Sequence, residues 1–273
     1  MRLREELSTL REALSDLLFP PRCAFCDDDF KDVSRCSLCE ECLGSLRPIE
    51  SPICERCGMP VPGLTEPSAE YCGRCLSDPP AYTRARYGVQ YEGALRDALL
   101  RFKFGGHLSV GQALSELLLE TFEKHFASSD FDIIVPIPMY DRRLPSRGFN
   151  QAVILAEGVE SGTGIPLDRF SFRKIKDTPP QVGLTRRERV ANLKRSFGVS
   201  KPDRIRGRRI LLIDDVSTTG STIEEAARTL LKAGAARVEA LVLALRVAGH
   251  QEIPQENPSH GVGPARPCPE ARA

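Results

Sequence analysis

The run from Arg209 to Thr222, Arg-Ile-Leu-Leu-Ile-Asp-Asp-Val-Ser-Thr-Thr-Gly-Ser-Thr, restricts the fold more than any other stretch of the chain. The aliphatic residues Ile210 to Ile213 end in two adjacent carboxylates, Asp214 and Asp215. A turn of small hydroxylated residues around Gly220 follows, and a helix is expected to open at Thr222-Ile223-Glu224-Glu225-Ala226-Ala227. Such an apolar run reads as a parallel strand buried on both faces. Open α/β sheets bind their ligands beyond the carboxyl ends of their strands, where both aspartates would lie. The turn offers backbone N–H groups, hydroxyls and a helix N-terminus to one anion, most naturally a phosphate. Carboxylates cannot hold that anion. They suit the hydroxyls of a sugar, or a magnesium ion, beside it, so the pattern points to a sugar phosphate.

Helix capping alone accounts for one Ser, Thr or Asp at a helix start, but not for the whole string. No Gly-x-x-x-x-Gly-Lys-Ser/Thr and no Gly-x-Gly-x-x-Gly occurs, which disfavours a nucleoside-triphosphate P-loop and a dinucleotide site. The string resembles the ribose-phosphate signature of type I phosphoribosyltransferases. That resemblance implies that Asp214 and Asp215 meet the ribose hydroxyls of phosphoribosyl pyrophosphate. It also implies that Thr218, Thr219, Gly220, Ser221 and Thr222 wrap its 5-phosphate.

The cysteines define a second unit. Nine of the ten fall between Cys23 and Cys75, as Cys23-x-x-Cys26, Cys36-x-x-Cys39-x-x-Cys42, Cys54-x-x-Cys57-Gly58 and Cys72-Gly73-x-Cys75. Two thiolates three positions apart chelate one tetrahedral zinc, and two such turns complete a four-cysteine site. Disulfides would need an oxidising compartment, which the charged N-terminus, unlike a signal peptide, argues against. The expected pairing is Cys23, Cys26, Cys39 and Cys42 around one zinc and Cys54, Cys57, Cys72 and Cys75 around another. Cys36 is a spare thiol or a substitute for Cys39 or Cys42. With few large apolar side chains, this stretch cannot build a conventional core, so structural zinc is expected to supply its folding energy.

At 273 residues there is room for one sizeable α/β domain beside that module. The formal net charge of +1 gives no global drive toward nucleic acid or membrane. Leu3, Leu7, Leu10, Leu14, Leu17 and Leu18 recur at helical spacing, predicting an amphipathic helix over 1–19 that packs on its own protein. No stretch is apolar for long enough to span a bilayer, and a cytoplasmic protein is expected.

Pro79-Pro80 reads as a linker. Beyond it the pattern predicts a strand over 85–91, helices over 93–104 and 109–126, a strand over 131–138, a helix through Ala156 and a last strand over 237–247. Strands alternating with helices argue for a doubly wound parallel sheet. Arg142, Arg143 and Arg147 cluster just past a strand end, where their guanidinium forks suit a pyrophosphate or simply face solvent. Between Arg169 and Arg209, fourteen Lys or Arg face three acids. That segment reads as a lid over an anionic ligand, a single-strand nucleic-acid groove with Phe170, Phe172 and Phe197 as its aromatic platforms, or a solvated charge run. The tail, 249–273, reads as disordered.

Taken in order from Cys23 to Val247, these features resemble the ComF (competence protein F) family. They are the double CxxC module, Tyr91-Glu92-Gly93, Lys103-Phe104-Gly105, Val135-Pro136-Ile137-Pro138, Arg147-Gly148-Phe149-Asn150-Gln151, Thr178-Pro179-Pro180-Gln181, Arg189 with Asn192-Leu193, and the Asp214 to Thr222 string. The resemblance implies an α/β protein: a type I phosphoribosyltransferase-like parallel sheet flanked by helices over 81–248, with a double zinc-ribbon module over 20–78. It implies Asp214, Asp215 and Arg147 as catalytic residues, with Arg142, Arg143, Asn150, Gln151 and Gln181 joining the phosphate loop in binding substrate. It further implies two structural zinc ions, magnesium with phosphoribosyl pyrophosphate, and an association with DNA uptake, single-stranded DNA and DNA-uptake proteins being the expected partners.

Overall fold

The computed structural model describes residues 22–28, 37–61, 70–105, 108–140, 148–177, 188 and 192–247. Its strands are β1 (Arg84–Gln90), β2 (Ile133–Pro136), β3 (Phe172–Lys174), β4 (Phe197–Val199), β5 (Arg209–Ser217) and β6 (Arg237–Leu245). The helices are α1 (Glu40–Gly44), α2 (Gly73–Ser77), α3 (Gly93–Gly105), α4 (Leu108–His125), α5 (Gln151–Thr163), α6 (Pro202–Ile205) and α7 (Ser221–Lys232). Four strands form one parallel sheet in the order β1-β6-β5-β2, and β3 pairs with β4 antiparallel beside it.

The central strands β5 and β6 are continuous runs of Ile, Leu, Val and Ala because both of their faces are covered. Leu211, Ile213, Leu241 and Leu243 point into one core with α3, α4 and α5; the intervening Ile210, Leu212, Ala240 and Val242 point into the other with α6, α7 and the β3–β4 pair. β2 pairs with β5 only as far as Ile213, whereas β5 stays paired with β6 to Ser217. The acidic pair therefore stands beyond the end of β2, on the carboxyl edge of the sheet.

Both sheet edges are occupied. On β1, the Ile49 N–H donates to the Gly88 carbonyl (2.9 Å), Gln90 N–H to Arg47 (2.7 Å) and Ala85 N–H to Arg56 (2.8 Å). On β2, Ile134 N–H donates to Pro166 (2.8 Å) and Asp168 N–H to the Ile134 carbonyl (2.9 Å). Residues 47–49 thus run along the edge of β1 between the two groups of cysteines. The first group, with Phe25 and Leu38, joins the α3–α5 core, and the second joins the α7 core. The zinc module therefore does have an apolar core, shared with the sheet, contrary to the expectation from its composition.

Several sequence-based boundaries shift. β2 ends at Pro136, since Pro138 cannot donate to a ladder. The following helix, α5, runs on to Thr163, capped at its start by the Asn150 side chain, which accepts from Ala152 N–H (3.1 Å), and at its end by Gly164 at φ +72°. The last strand stops at Leu245, and α7 begins one residue early, at Ser221. Phe172 and Phe197 are not platforms for bases: they are buried and stacked on each other, ring centroids 5.1 Å apart. Of the three phenylalanines, Phe170 is the exposed one. The helix expected over 1–19, the tail over 249–273, and Cys36, Arg142, Arg143, Arg147, Gln181 and Arg189 lie outside the described residues.

At the amino edge of the sheet, the Asp132 carboxylate accepts from Arg209 N–H (2.8 Å), Nε (3.2 Å) and Nη2 (2.8 Å), tying the start of β5 to β2. These bonds hold the Asp132 carboxyl down at about 2. A depressed carboxyl stabilises the fold at neutral pH and loses that contribution as pH falls from its ordinary value of 3.8 toward about 2. Urea melts at pH 7, 4 and 2.5 should show stability falling over that window, with a shallower fall in Asp132→Asn.

Candidate functional site

Two kinds of site emerge. The first is the pair of cysteine clusters. In each of the sets Cys23, Cys26, Cys39, Cys42 and Cys54, Cys57, Cys72, Cys75, all sulfurs lie within 4.8 Å of one another. The Cys26–Cys39 and Cys57–Cys72 sulfurs are both 3.8 Å apart. A tetrahedral zinc with Zn–S bonds of about 2.3 Å sets its sulfurs about 3.8 Å apart, so the cages fit the ion. Burial pushes Cys26 up to about 12 and Cys57 up to about 11. At Cys23 and Cys54 burial is outweighed by backbone N–H donors, and both fall to about 7. Those donors include Cys39 N–H to Cys23 Sγ and Cys72 N–H to Cys54 Sγ, each 3.3 Å. Four converging thiols, buried or half-buried, suit a four-coordinate structural zinc.

The clusters are copies of one design. In each, the residue after the second cysteine has left-handed backbone, Asp27 at φ +65° and Gly58 at φ +66°. Their N–H groups donate to Cys23 (2.9 Å) and Cys54 (2.8 Å), and Cys39 and Cys72 open the short helices α1 and α2. An arginine of the large domain clasps each copy. Arg101 on α3 donates to the Phe25 carbonyl and to Asp27 Oδ2 (3.2 Å); the buried Arg86 on β1 donates to the Glu55 carbonyl (2.8 Å) and carboxylate.

The second site lies at the carboxyl edge of the sheet. Asp214 and Asp215 lie near the end of β5, which runs on to Ser217, and the turn Thr218-Thr219-Gly220 leads directly into α7 at Ser221 and Thr222. Gly220, at φ +76°, makes the turn a side chain would strain. The Thr219 and Ser221 hydroxyls are 2.8 Å apart. The first N–H groups of α7 have no partner within the helix and face this turn. Ser217 carbonyl accepts from Arg246 N–H (2.8 Å), the Tyr87 hydroxyl bonds the Ser217 side chain, and Glu224 accepts from Ala81 N–H (2.9 Å). The turn is thereby fixed from below and from the side.

Sequence reasoning missed Lys103. From the end of α3 its ammonium reaches Asp215 Oδ2 at 2.7 Å, with the two side chains 20% and 15% exposed. The only signal was Lys103-Phe104-Gly105, a motif without an assigned partner. Burial works to raise the Asp215 pKa and to lower that of Lys103, but their mutual attraction wins: Asp215 is held below the usual carboxylate range and Lys103 above its own. Asp214, desolvated and beside the charged Asp215, is pushed well up.

Asn150 and Gln151 sit at the start of α5, after β2. The Asn150 amide donates to the Ile137 carbonyl (3.0 Å) while its oxygen caps the helix, so both ends of the side chain are engaged. Gln151 is 4% exposed, and its Nε2 meets no acceptor among the described residues.

Fold and sites together define a phosphoribosyltransferase-fold protein with two structural zinc sites. A double zinc ribbon domain matches residues 14–76, and a phosphoribosyl transferase domain matches residues 108–260. The chain is 33% identical over 210 residues to DNA utilization protein YhgH of Salmonella typhimurium, covering 76% of this chain and 89% of that protein. It is 29% identical over 227 residues to competence protein F of Haemophilus influenzae (82% and 96% covered) and 32% identical over 230 residues to competence protein ComFC of Bacillus subtilis (78% and 90% covered). The chain belongs to the ComF, or competence protein F, family. Among the described residues no helix is long and apolar enough to cross a membrane.

Titrating the sulfurs of purified protein with a mercurial in the presence of a colorimetric zinc indicator should release two zinc ions per chain. Cys57→Ala should release one, and its melting temperature should drop by several degrees because its cage is part of the α7 core.

Proposed function

We propose that the protein binds phosphoribosyl pyrophosphate and transfers its phosphoribosyl group to an acceptor. The observation carrying this reading is the adjacency of a buried acidic pair and a hydroxyl-lined helix start at the carboxyl edge of a parallel sheet. The 5-phosphate sits on the turn from Thr218 to Thr222, accepting from its N–H groups and hydroxyls. The ribose hydroxyls meet Asp214 and Asp215. Displacement of pyrophosphate from C1 passes through a cationic, oxocarbenium-like sugar, which nearby carboxylates favour electrostatically, so the protein contributes positioning and charge. Magnesium would be held by the hard oxygens of the pyrophosphate and would supply positive charge to the leaving group.

Asp214→Asn leaves the Lys103–Asp215 pair in place and is the cleaner test. By titration calorimetry with phosphoribosyl pyrophosphate and magnesium, wild type should bind and Asp214→Asn should bind about 10- to 100-fold more weakly, consistent with losing a hydrogen bond worth about 1.5–3 kcal/mol. Zinc content should be unchanged. Equal affinities would refute the assignment.

One observation favours a second, non-enzymatic reading. Lys194, Arg195, Arg228 and Lys232 line a groove of about 490 Å³ along α7, with Ser221 at one end. Its two carboxylates are already engaged, Glu224 by Arg228 (2.5 Å) and Glu225 by Arg195 N–H (2.6 Å). A cationic groove suits the backbone of single-stranded DNA, the partner of a DNA-uptake factor. Anisotropy of a labelled oligothymidine should then show salt-dependent binding, weakened about tenfold or more in Lys194→Glu/Lys232→Glu. Absence of binding at low salt removes this reading.

A further inference from the structure

We propose that Lys103 is the built-in counter-cation of the acidic pair: it takes the place a divalent metal would hold on Asp214 and Asp215, so that the pair meets the hydroxyls of its ligand directly. The carboxylate oxygens are nearly all committed. Asp215 Oδ2 accepts from Lys103 (2.7 Å), Asp215 Oδ1 from Val216 N–H (2.8 Å), and Asp214 Oδ1 from Asp215 N–H (3.0 Å). The two carboxyls also hydrogen-bond each other. Magnesium takes oxygen donors in near-ideal octahedral geometry and gives up its waters reluctantly, which oxygens already holding N–H and ammonium donors repay poorly. A metal about 2.1 Å from Asp215 Oδ2 would also stand within about 5 Å of the Lys103 ammonium, in a largely buried site where like charges repel strongly.

The connection runs between separate elements, from the last turn of α3 to the end of β5, and among the described residues Lys103 is the cation within ion-pair distance of either aspartate. Among the described residues, Tyr91 beside Lys103 and Tyr87 near Asp214 are further ionisable groups around it. Magnesium, on this view, enters with the pyrophosphate and stays there. Lys103 is therefore a positioning residue, acting through Asp215. The inference rests on the sugar-phosphate reading for its ligand, but not for its test with metal.

Manganese alone, followed by electron paramagnetic resonance on the zinc-loaded full chain, is the direct test. Wild type should show no manganese bound at the pair. Lys103→Met should gain one site per chain, at least tenfold tighter than any wild-type binding, and Lys103→Met/Asp215→Asn should lose it again. Lys103→Arg, which keeps the charge, should behave as wild type. If Lys103→Met does not fold, the wild-type arm decides alone: bound manganese that Asp214→Asn abolishes overturns the proposal, and none supports it. A folded Lys103→Met that gains no site also overturns it. Ribose 5-phosphate separates this outcome from the broader reading. Wild type should bind it equally with and without magnesium. Failure to bind under either condition defeats the sugar-phosphate assignment and leaves the manganese result to judge Lys103.

Discussion

The sheet of this protein is parallel, and a parallel sheet needs cover on both faces and at both edges. Helices of the large domain provide much of the facial cover. The edge of β1 is closed from outside that domain, by residues 47–49 and Arg56, whose backbone groups complete the ladder. Because residues 47–49 lie between the two cysteine clusters, one cluster folds over each face, and each enters the core it covers. The metal cages and the sheet consequently share their cores and their edge hydrogen bonds. Zinc holds the module together, the module closes the sheet, and the sheet carries the acidic pair.

The acidic pair is the costly part of this arrangement. Two adjacent carboxylates largely removed from water cannot both remain charged without compensation. Lys103 supplies one positive charge and the backbone supplies donors, the ammonium pairing with Asp215 rather than Asp214. Buried Gln151, with an amide that finds no acceptor among the described residues, is a further polar group at the α5 start near the end of β2. Unmet polar capacity is tolerated where a ligand supplies it.

Much of this was legible in the sequence. The strand–turn–helix of 209–222 could be read because a continuous aliphatic run, an acidic end and a glycine turn each have one dominant structural cause. The eight cysteines could be paired because CxxC spacing is set by chelation geometry. The role of Lys103 could not, because an isolated lysine at a helix end usually faces solvent, and its partner lies more than a hundred residues away. Phe172 and Phe197 misled for the opposite reason. Set among basic residues they looked like exposed platforms, yet their tertiary partner is each other. The shared core of the zinc module was equally hidden, since composition counts only the apolar residues a segment owns and not those it borrows.

The two cysteine cages, alike in backbone geometry, are fastened to the sheet differently. At the matching left-handed position one copy has Asp27 and the other Gly58. A methyl group added at Gly58 would lie 2.3 Å from the carbonyl oxygen of Ala85, so this copy is seated against β1 with no space between them. Asp27 has room for a full side chain and uses it to reach Arg101. One cage is thus locked to the backbone of the sheet, where nearly any substitution collides. Its sister is attached through side chains, which can be exchanged one at a time. Sequence drift across relatives should therefore accumulate in the first cage, leaving the second as the fixed reference point from which the rest of the module can change.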